Sequence, residues 1–131
     1  MRRGLWLAVL AAGVIGTAGA EGPKLSEVRK ILFLGNSITR HGPAPHIDWH
    51  GDWGRAATAP EKDYVHLVTA AVAKRAGKEP ETLVRNIADF ERGYADYDVA
   101  EKMKDLFAFD ADLVVLAIGE NTPEFASPED A

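Results

Sequence analysis

The chain has no cysteine among its 131 residues. That excludes a disulfide framework, a zinc–thiolate site and a cysteine nucleophile. Basic residues are also in deficit: 15 Lys and Arg stand against 20 Asp and Glu. A nucleic-acid partner is not expected, because phosphate binding wants a basic face. The acidic charge is spread along the chain, as a solubilising surface requires. No Gly-Lys-Ser/Thr occurs, so there is no phosphate-binding P-loop, and no Gly-x-Gly-x-x-Gly, so there is no dinucleotide fingerprint. Internal repeats and low-complexity tracts are absent.

A membrane-length apolar run is missing as well. Leu5–Ile15 is apolar but short of the roughly 20 residues a span needs. With Arg2 and Arg3 before it and Ala18-Gly19-Ala20 after it, the segment Met1–Ala20 reads as a secretory signal peptide with a small-x-small cleavage site. The expected mature chain, Glu21–Ala131, carries 13 basic and 20 acidic residues, a net charge of −7. It is expected to be secreted or periplasmic, with no membrane contact after cleavage. Without cysteine, it must be held by its core alone, which needs a complete sheet in a chain of this size.

What is present is an alternation of short apolar runs and helical patterns. Lys30–Leu34 is a continuous apolar run ending at Gly35, and reads as a buried strand. A loop rich in Gly, Pro, His and Trp follows to about Ala57, long enough to suggest a function. Thr58-Ala59-Pro60-Glu61 fits a capping box, predicting a helix to about Ala76 with Val65, Val68 and Val72 on one face and Gly77 as its stop. Thr82–Ile87 reads as a second strand, and Ala88–Gly93 as a polar loop. A second helix is expected from about Ala95 to Ala108, with Val99, Met103, Leu106 and Phe107 as its core stripe. Leu113–Ile118 is the clearest buried strand, followed by a polar tail. The order strand-helix-strand-helix-strand implies an α/β fold with a parallel sheet, right-handed crossovers and helices on both faces. In such sheets, sites form beyond the carboxyl ends of the strands. Three strand ends point there: Gly35-Asn36-Ser37, Asn86-Ile87-Ala88 and Gly119-Glu120-Asn121.

Ser37 follows the first buried strand directly. A serine nucleophile needs a tight turn exposing its hydroxyl, with backbone N–H groups nearby. A serine capping a helix N-terminus would leave the same trace. Thr39 stands where the α/β-hydrolase elbow carries its second glycine, so that motif is not matched.

Ile31-Leu32-Phe33-Leu34-Gly35-Asn36-Ser37-Ile38-Thr39 resembles the first block of the SGNH/GDSL hydrolases, in which Gly-Asp/Asn-Ser is followed by Ile-Thr. The resemblance implies that Ser37 is the nucleophile. Gly119-Glu120-Asn121 matches the glycine and asparagine of the family's third block, which implies that the Asn121 side chain donates to the oxyanion; Thr122 replaces a frequent aspartate. The second block's glycine falls on Ala88, which keeps a backbone N–H for the oxyanion but would be strained at φ > 0. The resemblance covers about Lys30–Asn121. It implies a three-layer parallel sheet with the flavodoxin-like order 2-1-3-4-5, incomplete at the C-terminus because only three of its strands are present. It also implies a serine esterase needing no cofactor or metal, acting on a small-molecule ester, such as an acylated carbohydrate, outside the cytoplasm.

The family's closing Asp-x-x-His is missing from this sequence, so residues 21–131 read as a truncated esterase domain without its catalytic base. One Asp-x-x-His does occur, Asp63-Tyr64-Val65-His66, but it falls inside the expected first helix, about two turns below the sheet top. There it reads as a solvated aspartate and a partly buried histidine. His41, His46, Asp48 and His50 cluster in the long loop at spacings that follow no regular element, which weighs against a metal site. Trp49 and Trp53 in the same loop suit either sugar stacking or anchoring of the loop. A non-catalytic ester- or sugar-binding module is the alternative to an enzyme.

Overall fold

In a computed structural model, which describes residues 7–9 and 24–123, the chain is mixed α/β around a parallel open sheet. Strand β2 (Lys30–Gly35) is central. β3 (Glu81–Asn86) pairs parallel on one side of it, and β4 (Leu113–Ala117) pairs parallel on the other. A short β1 (Leu7–Val9) lies parallel along the outer edge of β4. β1 falls within the expected signal peptide, whose other residues lie outside those described. No described helix is long and apolar enough to cross a membrane.

The strands alternate their side chains between two clusters, as the pleat demands. Ile31, Phe33, Leu113 and Val115 pack with Val65 and Val72 of α1 (Tyr64–Ala76). Leu32 and Val114 pack with Ile87, Met103, Leu106 and Ala111. Both faces of the sheet are thus covered by helical segments, an arrangement compatible with three layers.

Three sequence expectations change. The Thr58 capping box does not form. Pro60–Lys62 makes a short 3₁₀ turn, and the helix starts five residues later than expected, at Tyr64, because the Asp63 carboxylate accepts the His66 N–H at 2.8 Å and caps it. Ala88–Gly93 is not a loop but a helix, α2; Asn86 Oδ1 accepts the Ala88 N–H and stands in for a cap. The long helix expected over Ala95–Ala108 is broken. Tyr94–Asp96 is 3₁₀, α3 covers Val99–Lys102 and α4 covers Lys104–Ala108, with Met103 between them at φ −115°, ψ 14°. The break turns the expected stripe: Met103 and Leu106 are buried, while Val99 and Phe107 are exposed.

Candidate active site

The carboxyl ends of β2, β3 and β4 converge, and the Asn36–Arg40 turn leaves β2 at that point. The Thr39 and Arg40 N–H groups both donate to the Asn36 carbonyl at 3.0 Å, and Asn36 Oδ1 accepts the Ile38 N–H at 3.0 Å. Ser37 sits inside this tight turn, partly exposed. Among the described residues its N–H has no acceptor and its hydroxyl no hydrogen-bond partner; its carbonyl accepts the Arg55 N–H at 2.9 Å. Gly35 is needed for close approach. A Cβ there would lie 1.9 Å from Thr39 Oγ1 and 2.6 Å from the Ala117 carbonyl. Gly35→Ala is therefore expected to cost about 1–3 kcal/mol through overpacking, read as a lowered urea midpoint.

Asn121 is tied to the Ser37 turn through a residue that sequence reasoning passed over. Glu91, on α2, is 2% exposed. One of its oxygens accepts the Asn121 Nδ2–H at 2.7 Å; the other accepts the Gly119 N–H and, at 3.4 Å, the Asn36 Nδ2–H. Asn36 Nδ2 also donates to Glu120. Burial pushes the Glu91 carboxyl up, but the hydrogen bonds from Gly119, Asn121 and Asn36 outweigh it and hold Glu91 below the usual carboxylate range. One buried carboxylate thus ties the β2 end to the β4 end. Its signal in the sequence is the helical stripe Ile87, Phe90, Glu91, Tyr94, in which a charge occupies a core-facing position.

The third strand end is differently committed. Ala88 opens α2, does not lie at positive φ, and gives its N–H to Asn86 Oδ1 at 3.0 Å, so that N–H is already occupied. Asn86 Nδ2 donates to the Arg40 carbonyl at 2.8 Å, fastening the β3 end to the long loop.

The Asp63-x-x-His66 pair differs from its expected state. Because α1 starts at Tyr64, His66 stands in the first turn, not two turns down. β2 and β3 run parallel, so the helix between them starts at the carboxyl end of β2, on the side of Ser37. Asp63 is buried rather than solvated. Its Oδ1 lies 2.6 Å from the His66 Nδ1, and its Oδ2 accepts the Gly54 N–H at 3.1 Å. Burial raises the Asp63 carboxyl, and the bonds from His66 and Gly54 more than reverse this and lower it. The His66 side chain is 52% exposed. It opens on a cavity of about 180 Å³ that Thr39, Arg40 and Asp52 also line. Tyr64 joins the turn through its hydroxyl, 2.7 Å from Thr39 Oγ1.

The long loop holds itself. His41 and Trp53 form one antiparallel bridge, Ala44 and Trp49 another. The indole N–H of Trp49 donates to the His41 carbonyl and that of Trp53 to the Ala57 carbonyl, each at 3.0 Å. The two rings pack edge to face at 5.2 Å, which makes both tryptophans anchors of the loop. Arg40 and Asp52 form a bidentate pair at 2.8 Å. His50 Nε2 lies 3.1 Å from Asp48. No group of three or more potential metal ligands occurs among the described residues.

Two clefts flank the strand ends. A mainly apolar one of about 200 Å³ is lined by Phe90, Glu91, Tyr94, Ile118, Gly119 and Thr122. A larger one of about 430 Å³ lies by Arg40, His41, Asp52, Arg85 and Asn86. Compared with protein-family models, with curated proteins and with solved structures, the chain matches none.

Proposed function

We propose that this chain carries the nucleophile and oxyanion side of a secreted or periplasmic serine hydrolase of the SGNH/GDSL type, acting on a small ester such as an acylated carbohydrate. The observation that carries the reading is the tie between Asn121 and the Ser37 turn, made through Asn36. The Ser37 turn and the Asn121 side chain leave adjacent parallel strands and are tied to one carboxylate, that of Glu91.

In this reading Ser37 Oγ bonds to the acyl carbon, and its proton passes to a base. The Ser37 N–H, which has no acceptor among the described residues, and one Asn121 Nδ2–H hold the oxyanion. The Ala88 N–H could join them only by sharing the hydrogen it gives Asn86. The alcohol then leaves with a proton, and water releases the acid from the acyl-serine. No cofactor is required by this chemistry.

The test is hydrolysis of a short-chain aryl ester by the full chain beside Ser37→Ala, with imidazole added as the base and its own background hydrolysis subtracted. Turnover that falls to the buffer background in Ser37→Ala supports the reading, and turnover indifferent to that change rejects it. A non-catalytic binding module is the second reading, favoured by the Ser37 hydroxyl, which has no hydrogen-bond partner among the described residues. Its mark would be saturable binding of an acylated sugar that Asn121→Ala weakens, with no Ser37-dependent turnover at any pH.

A further inference from the structure

Glu91 is a costly choice for its position. A buried carboxylate loses hydration that only good hydrogen bonds can replace, and an apolar residue at the core-facing point of the Ile87–Tyr94 stripe would avoid that loss. Its surroundings show what the charge provides. Each oxygen receives a donor from the β4 end, and the amide of Asn36 comes from the β2 end. An ionised carboxylate accepts and never donates, so only the nitrogen ends of the two asparagine amides can face it. The flip of Asn121 is therefore fixed, with Nδ2 toward Glu91. That nitrogen carries two hydrogens; Glu91 takes one, and the second points away from it.

We propose that Glu91 is a positioning residue, which locks the Asn121 amide so that its second N–H faces the place where the ester's oxyanion forms, and locks the Ser37 turn through Asn36. The inference rests on the hydrolase reading given above. Glu91 does not touch the reacting atoms; it acts through Asn121, Gly119 and Asn36. Glu120 shares the Asn36 amide but is exposed, so it cannot replace the buried carboxylate. In Glu91→Gln one terminal oxygen must serve donors that two oxygens serve now, and the new NH₂ faces other N–H groups.

The test uses the full chain and two readouts. The first is the side-chain amide resonances of Asn36 and Asn121. In the unmutated chain the Asn121 amide protons should show nuclear Overhauser contacts to the Glu91 methylenes, and both amides should be displaced from free asparagine. In Glu91→Gln both should move toward the free position while strand resonances hold. The second is a double-mutant cycle on Ser37-dependent aryl-ester turnover, with imidazole added as the base. Glu91→Gln is expected to lose between about 10-fold and the 100- to 1,000-fold that removal of a whole oxyanion donor brings. Adding Asn121→Ala should then cost little more, since coupled residues are not additive. Additive losses, or amides unchanged by Glu91→Gln, overturn the inference. If Glu91→Gln does not fold, the contacts in the unmutated chain decide, and their absence overturns it. If turnover proves independent of Ser37, the hydrolase reading fails and with it the oxyanion role; the spectra then report separately whether Glu91 holds the amides.

Discussion

Asp63→Ala is expected to destabilise the fold by about 3 kcal/mol, the sum of a lost helix cap and a buried N–H left without an acceptor. The Asp63 side chain is 3% exposed and accepts from the His66 N–H, the His66 ring and the Gly54 N–H. Water cannot replace it at Gly54, which is itself buried. The loss would reach the Ser37 turn, because Gly54 is followed by Arg55, whose N–H donates to the Ser37 carbonyl. The pH dependence has a definite sign. The folded Asp63 carboxyl is held below its ordinary value, so its contribution is full above the unfolded value of about 3.9 and is lost as pH falls through the lower folded value. Urea midpoints of the unmutated chain should therefore be level in this contribution near neutrality and decline below about pH 4. Asp63→Ala should start lower and lose that part of the acid slope. Asp63→Asn keeps one acceptor and should fall between the two. An unchanged midpoint in Asp63→Ala would show that the cap and the Gly54 contact carry no stability.

The sheet was legible in the sequence because each of its central strands is a continuous apolar run. Strands covered on both faces leave that trace whatever the loops do. The helices were less legible, since their ends are set by single side chains. Asp63 outcompetes Thr58 as a cap because it satisfies two more donors, and Asn86 turns Ala88–Gly93 into a helix where composition reads loop. Ser37 and Asn121 could be marked from their places after buried strands. Glu91 could not be marked by type, because a glutamate on a helix belongs by default to solvent. Its burial follows from where α2 lies against the β4 end, which depends on contacts 28 and 30 residues apart in sequence.

The largest catalytic effect should come from supplying a base. Positioned general-base help is worth roughly 100- to 10,000-fold. Among the described residues no histidine bonds Ser37. His41 Nδ1 contacts the Gly42 carbonyl, His50 contacts Asp48, and His66 Nδ1 contacts Asp63. The full chain is thus expected to hydrolyse a short-chain aryl ester only by the residual route of oxyanion contacts and binding. Free imidazole should raise that rate well beyond its own background hydrolysis, and the added increment should vanish in Ser37→Ala. His66 is the resident rival. Its Nδ1 must carry the hydrogen when it donates to Asp63, which leaves Nε2 as an acceptor at the Ser37 end of the sheet. The cavity it opens on is lined by Thr39 and not by Ser37, so His66→Ala should change turnover less than about 3-fold, well short of the general-base range. A loss of 100-fold or more in His66→Ala, together with indifference to imidazole, would instead make Asp63 and His66 the working dyad and remove the need for an external base.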